Sequence, residues 1–174
     1  MNRNWLSLNF LILLTTSLFL NGCGYHLVGT GSSLPTHLKT LSISVFSNTS
    51  SEPEIHRELT SNIIDSFITD GRLKVVGKGS ADMVMSGTLY YYDLKAVSFS
   101  STDFVSDYIV ELGVDVQVID KVNDKLYMKN KFKTKWDYRA TSDIVNTESA
   151  RLAALEEAYK ELGNRLVSLL IDQF

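Results

Sequence analysis

The sequence predicts an α+β fold, a two-layer sandwich with two helices packed on one face of a mixed or largely antiparallel sheet. Three observations lead there. Two runs, near residues 108–118 and 126–136, alternate apolar and polar residues with the period of a strand. Two other segments, opening near residues 53 and 146, space their apolar residues as amphipathic helices do. Strands with one wet side and helices with one dry side bury both apolar surfaces only by stacking in layers.

Each element follows from local pattern. Leu41, Ile43 and Val45 alternate with Thr40, Ser42 and Ser44 as a half-buried strand. Ser51 with Glu54 forms the pattern of a capping box, and Pro53 sits where a first helical turn tolerates proline, so a helix is expected to begin there. Ile55, Leu59, Ile63 and Phe67, flanked by Ile64 and Ile68, supply its apolar face, and Gly71 is placed to end it. Residues 72–76 read as a short strand, followed by a turn over residues 77–79. Residues 83–99 are rich in strand formers, with Gly87 and Asp93 marking expected bulges. The Ser-rich stretch 98–107 reads as an exposed loop.

Tyr108, Val110, Leu112, Val114, Val116 and Val118 are all even-numbered, and so are Leu126, Met128, Phe132 and Trp136. For both apolar sets to share one face of an antiparallel pair, even must stand opposite even. The turn near residues 122–124 is therefore expected to hold an odd number of residues, and a three-residue loop places Glu111 opposite Lys135 and Asp115 opposite Lys131. A last helix is expected from about Asn146 or Thr147, its seam made by Leu152, Leu155, Tyr159, Leu162, Leu166 and Leu169, running almost to Phe174 with no long tail beyond it.

The amino terminus carries a different signal. Arg3 and the free amine precede an apolar run over residues 5–20, and Gly22 precedes Cys23, the single cysteine of the chain. That order is a secretory leader closing on a lipobox, Leu20-Asn21-Gly22-Cys23, with Cys23 as the lipid-anchor residue. Acyl chains contribute about 0.8 kcal/mol per buried methylene, so two or more hold a protein on a bilayer. Gly24, rather than an aspartate, follows the cysteine, which favours the periplasmic side of the outer membrane. The expected organisation is a leader over residues 1–22, a lipidated terminus and linker over 23–38, and one α+β domain over 39–174.

Signs of catalysis are lacking. His26, His37 and His56 are dispersed, no Cys/His/carboxylate group has metal-ligand spacing, and no phosphate-binding glycine loop or nucleophile elbow occurs. Neither an enzyme nor a cofactor nor a metal is expected, and the leader argues against nucleic acid as a partner. Charge is segregated instead: residues 121–139 hold seven basic side chains against Asp124 and Asp137, in a chain of formal net charge −3. Lys129, Lys131, Lys133 and Lys135 share one strand face, a row suited to phosphates or carboxylates. The plainer reading is a solvated sheet face guarded by lysine. Of Tyr90, Tyr91 and Tyr92, alternation expects the first and third to share a face and Tyr91 to oppose them.

Across its length the chain resembles a known family. The residues concerned are Gly22-Cys23-Gly24-Tyr25-His26-Leu27, Leu34-Pro35, Lys39-Thr40-Leu41, Val45-Phe46-Ser47-Asn48, Asp70-Gly71-Arg72-Leu73-Lys74-Val75-Val76, Ala81-Asp82 and Ser86-Gly87. Their order and spacing are similar to the lipopolysaccharide-assembly lipoproteins, the LptE family. The resemblance implies two helices on a four-stranded sheet. It also implies an outer-membrane lipoprotein that plugs and helps assemble a large β-barrel, LptD, and binds lipopolysaccharide on its way to the outer leaflet. A periplasmic lipoprotein acting as scaffold or pilot for another envelope complex is the alternative.

Overall fold

A computed structural model describes residues 34–99, 105–140 and 143–172. In chain order these form β1 (Thr40–Ile43), β2 (Ser47–Asn48), α1 (Ile55–Asp70), β3 (Lys74–Val75), β4 (Met83–Phe99), β5 (Val105–Asp120), β6 (Lys125–Arg139) and α2 (Ile144–Ile171), with one 3-10 turn at Lys78–Ser80. The expected layers are present. The sheet, however, has six strands rather than four, ordered β3-β1-β4-β5-β6, with β2 also paired to β4. It is mixed, because β1 runs parallel to β3 and β4 while β4, β5 and β6 form an antiparallel meander.

The extra strand count begins at Phe46. The alternation Leu41, Ile43, Val45 does not persist: Val45 is 64% exposed and Phe46 is 1% exposed. Phe46 turns inward because its N–H donates to the Thr60 hydroxyl of α1 at 3.0 Å and its ring fills the space above Gly87. A methyl group at Gly87 would lie 2.3 Å from that ring, so the glycine marks a close approach and not the expected bulge. The run is thereby split into β1 and β2, which lie one after the other along β4.

The start of α1 also departs from expectation. Ser51 donates to the carbonyl of Tyr92 at 3.4 Å rather than capping, and Glu54 occupies the N-cap at φ 65° with no side-chain cap bond, its carboxylate paired to Arg57. The Asn48 side chain organises the entry instead, accepting from the Ser50 N–H and hydroxyl and donating to the carbonyl of Glu52. The other end matches the pattern: Gly71, at φ 72°, donates its N–H to Phe67.

Ile55, Leu59, Ile63 and Phe67 of α1 and Leu155, Tyr159, Leu162 and Leu166 of α2 are buried against Met83, Met85, Leu89, Val110, Leu112, Val114, Val116 and Val118 of the sheet. Helix α2 starts earlier than expected, at Ile144, because Asp143 accepts from the N–H of Val145 at 2.9 Å. Its buried stripe is shifted from the predicted seam, with Ala158, Val167 and Leu170 inside and Leu152 48% exposed. The described ends of the predicted loop 98–107 are strand, since β4 continues to Phe99 and β5 opens at Val105.

The β5–β6 pairing shows how register can survive a wrong turn length. Glu111 faces Lys135 and Asp115 faces Lys131, as expected, yet Asp120 pairs with Lys125 and so closes a four-residue turn. The even count is corrected by a register shift between Val118 and Ile119, which leaves Tyr127 as the extra residue. The tight turn is held by Asp120, whose Oδ1 accepts the N–H groups of Val122 and Asn123, while Asp124 takes φ 51°.

Candidate functional site

The sheet face turned away from the helices carries the charged side chains. Lys129, Lys131, Lys133 and Lys135 lie along it on β6 and are all exposed, so the structure brings the predicted row together. Opposite them on β5 stand Gln117, Asp115, Gly113 and Glu111. Lys131 pairs loosely with Asp115 at 3.9 Å, and no ion pair involves Lys129, Lys133 or Lys135 among the described residues. The Lys129 and Lys135 ammonium groups therefore face solvent without a countercharge among the described residues, whereas Lys133 lies over the Tyr91 ring.

A bulge in β4 changes what faces the lysines. The register shifts between Leu89 and Tyr91, so that Tyr90 is the added residue and Tyr91 stands opposite Gly113. The expectation that Tyr90 and Tyr92 share a face is overturned. Tyr90 and Tyr91 both lie on the outer side, where the Lys131 ammonium sits 5.3 Å from the centroid of the first ring and the Lys133 ammonium 4.5 Å from that of the second. Tyr92 turns inward against the core. Gly113 makes room, since a Cβ there would lie 2.8 Å from the Tyr90 ring and 2.9 Å from the Tyr91 Cβ. Asp93, the other expected bulge, is regularly paired with Glu111.

Beyond the bulge the parity of β4 is reversed, which places Lys95 and Asp93 on the outer face. Alternation read without the bulge misses Lys95, although the switch from odd-numbered Met83, Met85 and Leu89 to even-numbered Leu94 between Asp93 and Lys95 marks a change of parity. The Lys95 ammonium lies 3.0 Å from Glu111 and 3.3 Å from Asp93. Its hydrogen bond holds the Glu111 carboxyl below the usual range, and the Tyr91 hydroxyl, followed by Lys95, does the same for Asp93. The face is thus a cationic strand beside a neutralised patch of acids and tyrosines. It suits a ligand with several spaced negative charges better than a single ion. No group of His, Cys, Asp and Glu suited to a metal occurs among the described residues, and Cys23 lies outside them.

This architecture defines a two-layer α+β domain, two helices on one face of a mixed sheet whose other face is wet and carries the lysine row. The chain belongs to the LptE family, lipopolysaccharide-assembly proteins, whose model matches residues 38–170. It is accordingly a lipopolysaccharide-assembly lipoprotein and not an enzyme. No curated protein sequence matches the chain. Solved structures share the fold at low identity. The rare lipoprotein B from Shewanella oneidensis is 18% identical, with TM-score 0.50, covering 71% of this chain and 90% of its own. A hypothetical protein from Chlamydia trachomatis is 10% identical, with TM-score 0.53, covering 76% and 98%. PelC from Paraburkholderia phytofirmans, a dodecamer, is 13% identical, with TM-score 0.52, covering 82% and 96%. Family membership implies an outer-membrane lipoprotein, and among the described residues no helix is long and apolar enough to cross a membrane.

Proposed function

We propose that this chain is acylated at Cys23 after removal of residues 1–22 and is held on the periplasmic side of the outer membrane, with residues 23–38 leading to the domain. There it plugs and helps assemble a large LptD-like β-barrel and binds lipopolysaccharide during delivery to the outer leaflet. Membership of the lipopolysaccharide-assembly family over residues 38–170 carries this reading. The physics is compatible: a compact two-layer domain fits the polar lumen of a wide barrel.

Lys129, Lys131, Lys133 and Lys135 are the proposed contacts for anionic groups of the ligand. Support comes from their alignment on one exposed face and from the lack of ion pairs at three of them among the described residues. Extraction of native membranes with mild detergent and purification through this chain is expected to bring down a large β-barrel in stoichiometric amount. Recovery of a different envelope complex without a barrel would favour the scaffold reading and overturn this one. Replacing the four lysines by Gln should weaken lipopolysaccharide binding while barrel association stays intact, and unchanged binding would refute their role. Mass spectrometry of the mature protein is expected to find a diacylglyceryl group on Cys23, and an unmodified thiol there would remove the anchor.

A further inference from the structure

On the helix side of the sheet lies a second feature that the lysine face does not explain. Tyr92 and Leu94 of β4, Tyr108 of β5, Tyr138 of β6, Glu52 and the first turns of α2 line an open cleft of about 420 Å³. That volume is in the range of small-molecule sites. Tyr108 and Tyr138 are a directly opposed cross-strand pair, with ring centroids 5.4 Å apart and planes inclined by 15°. Their hydroxyls make no hydrogen bond to any described residue. Leu94 and Ile144, 38% and 86% exposed, stand at the mouth.

Arg151 sets the charge of the cleft. Its Nε and Nη2 both donate to Glu148 at 2.8 Å, and its Nη1 donates to Glu52 at 3.2 Å and to the Tyr92 hydroxyl at 3.0 Å. All three guanidinium nitrogens are engaged, and two carboxylates outnumber the one cation. An anionic ligand is therefore disfavoured here, in contrast to the lysine face. A hydrocarbon chain is disfavoured as well, because it would strip water from Glu52, Glu148 and the tyrosine hydroxyls and offer no hydrogen bond in return. The Tyr159 hydroxyl of α2, which does not line the cleft, is buried without a hydrogen-bond partner, and that burial raises its pKa.

We propose that this cleft binds an uncharged pyranose unit of a saccharide chain, its apolar C–H face against the half-buried Tyr108 ring, which the 8% exposed Tyr138 backs from beneath, and its hydroxyls toward Glu52, Glu148 and the Tyr108 hydroxyl. A sugar ring is the guest that has both an apolar face and enough donors and acceptors to replace the water it displaces. The inference rests on the reading above only in naming the source of the sugar, the saccharide of lipopolysaccharide. With that source the two sides of the sheet divide one amphiphile, charged groups to the lysines and neutral sugar to the cleft.

The test titrates full-length protein in detergent with core oligosaccharide freed of lipid and enzymatically dephosphorylated, observed by NMR. Ring signals of Tyr108 and Tyr138 are expected to shift while those of Tyr90 and Tyr91 stay in place, and Tyr108→Leu is expected to weaken binding about tenfold, or 1.4 kcal/mol. No binding, or shifts confined to Tyr90 and Tyr91, would overturn the proposal. Should Tyr108→Leu fail to fold, the wild-type ring signals still decide. Barrel co-purification is read separately, so a barren cleft leaves that reading standing, and an absent barrel leaves the sugar titration interpretable.

Discussion

Glu111 and Leu112 are neighbours in β5 and face opposite ways. Leu112 is 1% exposed, packed among residues of both helices and β4, and its environment is supplied by segments distant in the chain. Glu111 stands on the outer face, ion-paired with Lys95 of β4 and opposite Lys135 of β6 in the strand register. The inner face is a packing surface in which volume must match, and the outer face is an electrostatic surface in which partners can exchange. Sequence changes on the two faces are therefore expected to differ in their cost to stability, large inside where volume must match and small outside where partners can exchange.

The sharpest way to break this contrast is to remove volume from the inner face. Leu112→Ala is expected to cost about 2–5 kcal/mol, read as a lower urea midpoint, with lipopolysaccharide binding retained at temperatures where the protein stays folded. Gly87→Ala tests the close approach of Phe46 and is expected to cost about 1–3 kcal/mol, because the ring must leave its site. A change well below this range would show that the split between β1 and β2 can relax.

A third prediction concerns the link between the entry segment and the β5–β6 turn. Asp120 Oδ2 shares hydrogen bonds with His37 Nε2 at 3.0 Å and Asn123 Nδ2 at 2.9 Å. The His37 contact, followed by those from Asn123 and Val122, holds the Asp120 carboxyl well below the usual carboxylate range against the opposing effect of burial. A depressed folded value means that the carboxylate stabilises the fold above its unfolded value of about 3.9, and that this contribution is lost as pH falls through the lower folded value. Asp120→Asn should thus be less stable than wild type near pH 6, with the gap in melting temperature closing at strongly acidic pH. A gap that stays constant would show that the carboxylate charge is immaterial there.

The smallest effect is expected on the outer face. Replacing Lys129, Lys131, Lys133 and Lys135 by Gln should change stability by no more than about 0.5 kcal/mol per site, measured by thermal unfolding, even though ligand binding falls. Large destabilisation would mean that the cation–π contacts with Tyr90 and Tyr91 hold the bulge in place. That outcome would merge the two faces into one structural unit.

Much of this was legible in the residues themselves. Alternation in β5 and β6 and helical spacing around Leu59 and Leu162 are local consequences of burying one side of an element, and hence the layers and the lysine row could be read directly, whereas the Glu111–Lys135 and Asp115–Lys131 pairs, expected from a three-residue turn, occur because a bulge offsets a four-residue one. The features that escaped are those where distant groups compete. Ser51 was available to cap α1, but the Tyr92 carbonyl claims its hydroxyl; Val45 continued an apolar alternation, but Thr60 and Gly87 draw Phe46 inward.

What the sequence determined by itself was therefore which side chains want water and which do not, repeated with a period that specifies strand or helix. Where a strand slips by one residue was decided by tertiary structure alone. The bulges at Tyr90 and Tyr127 depend on the room beside Gly113 and on the turn around Asp120, and each inverts or restores the parity of everything beyond it. A change of parity along β4, from Leu89 to Leu94, records that a residue is skipped but not which one, so only packing against the neighbouring strand could place Tyr91 beside the lysines.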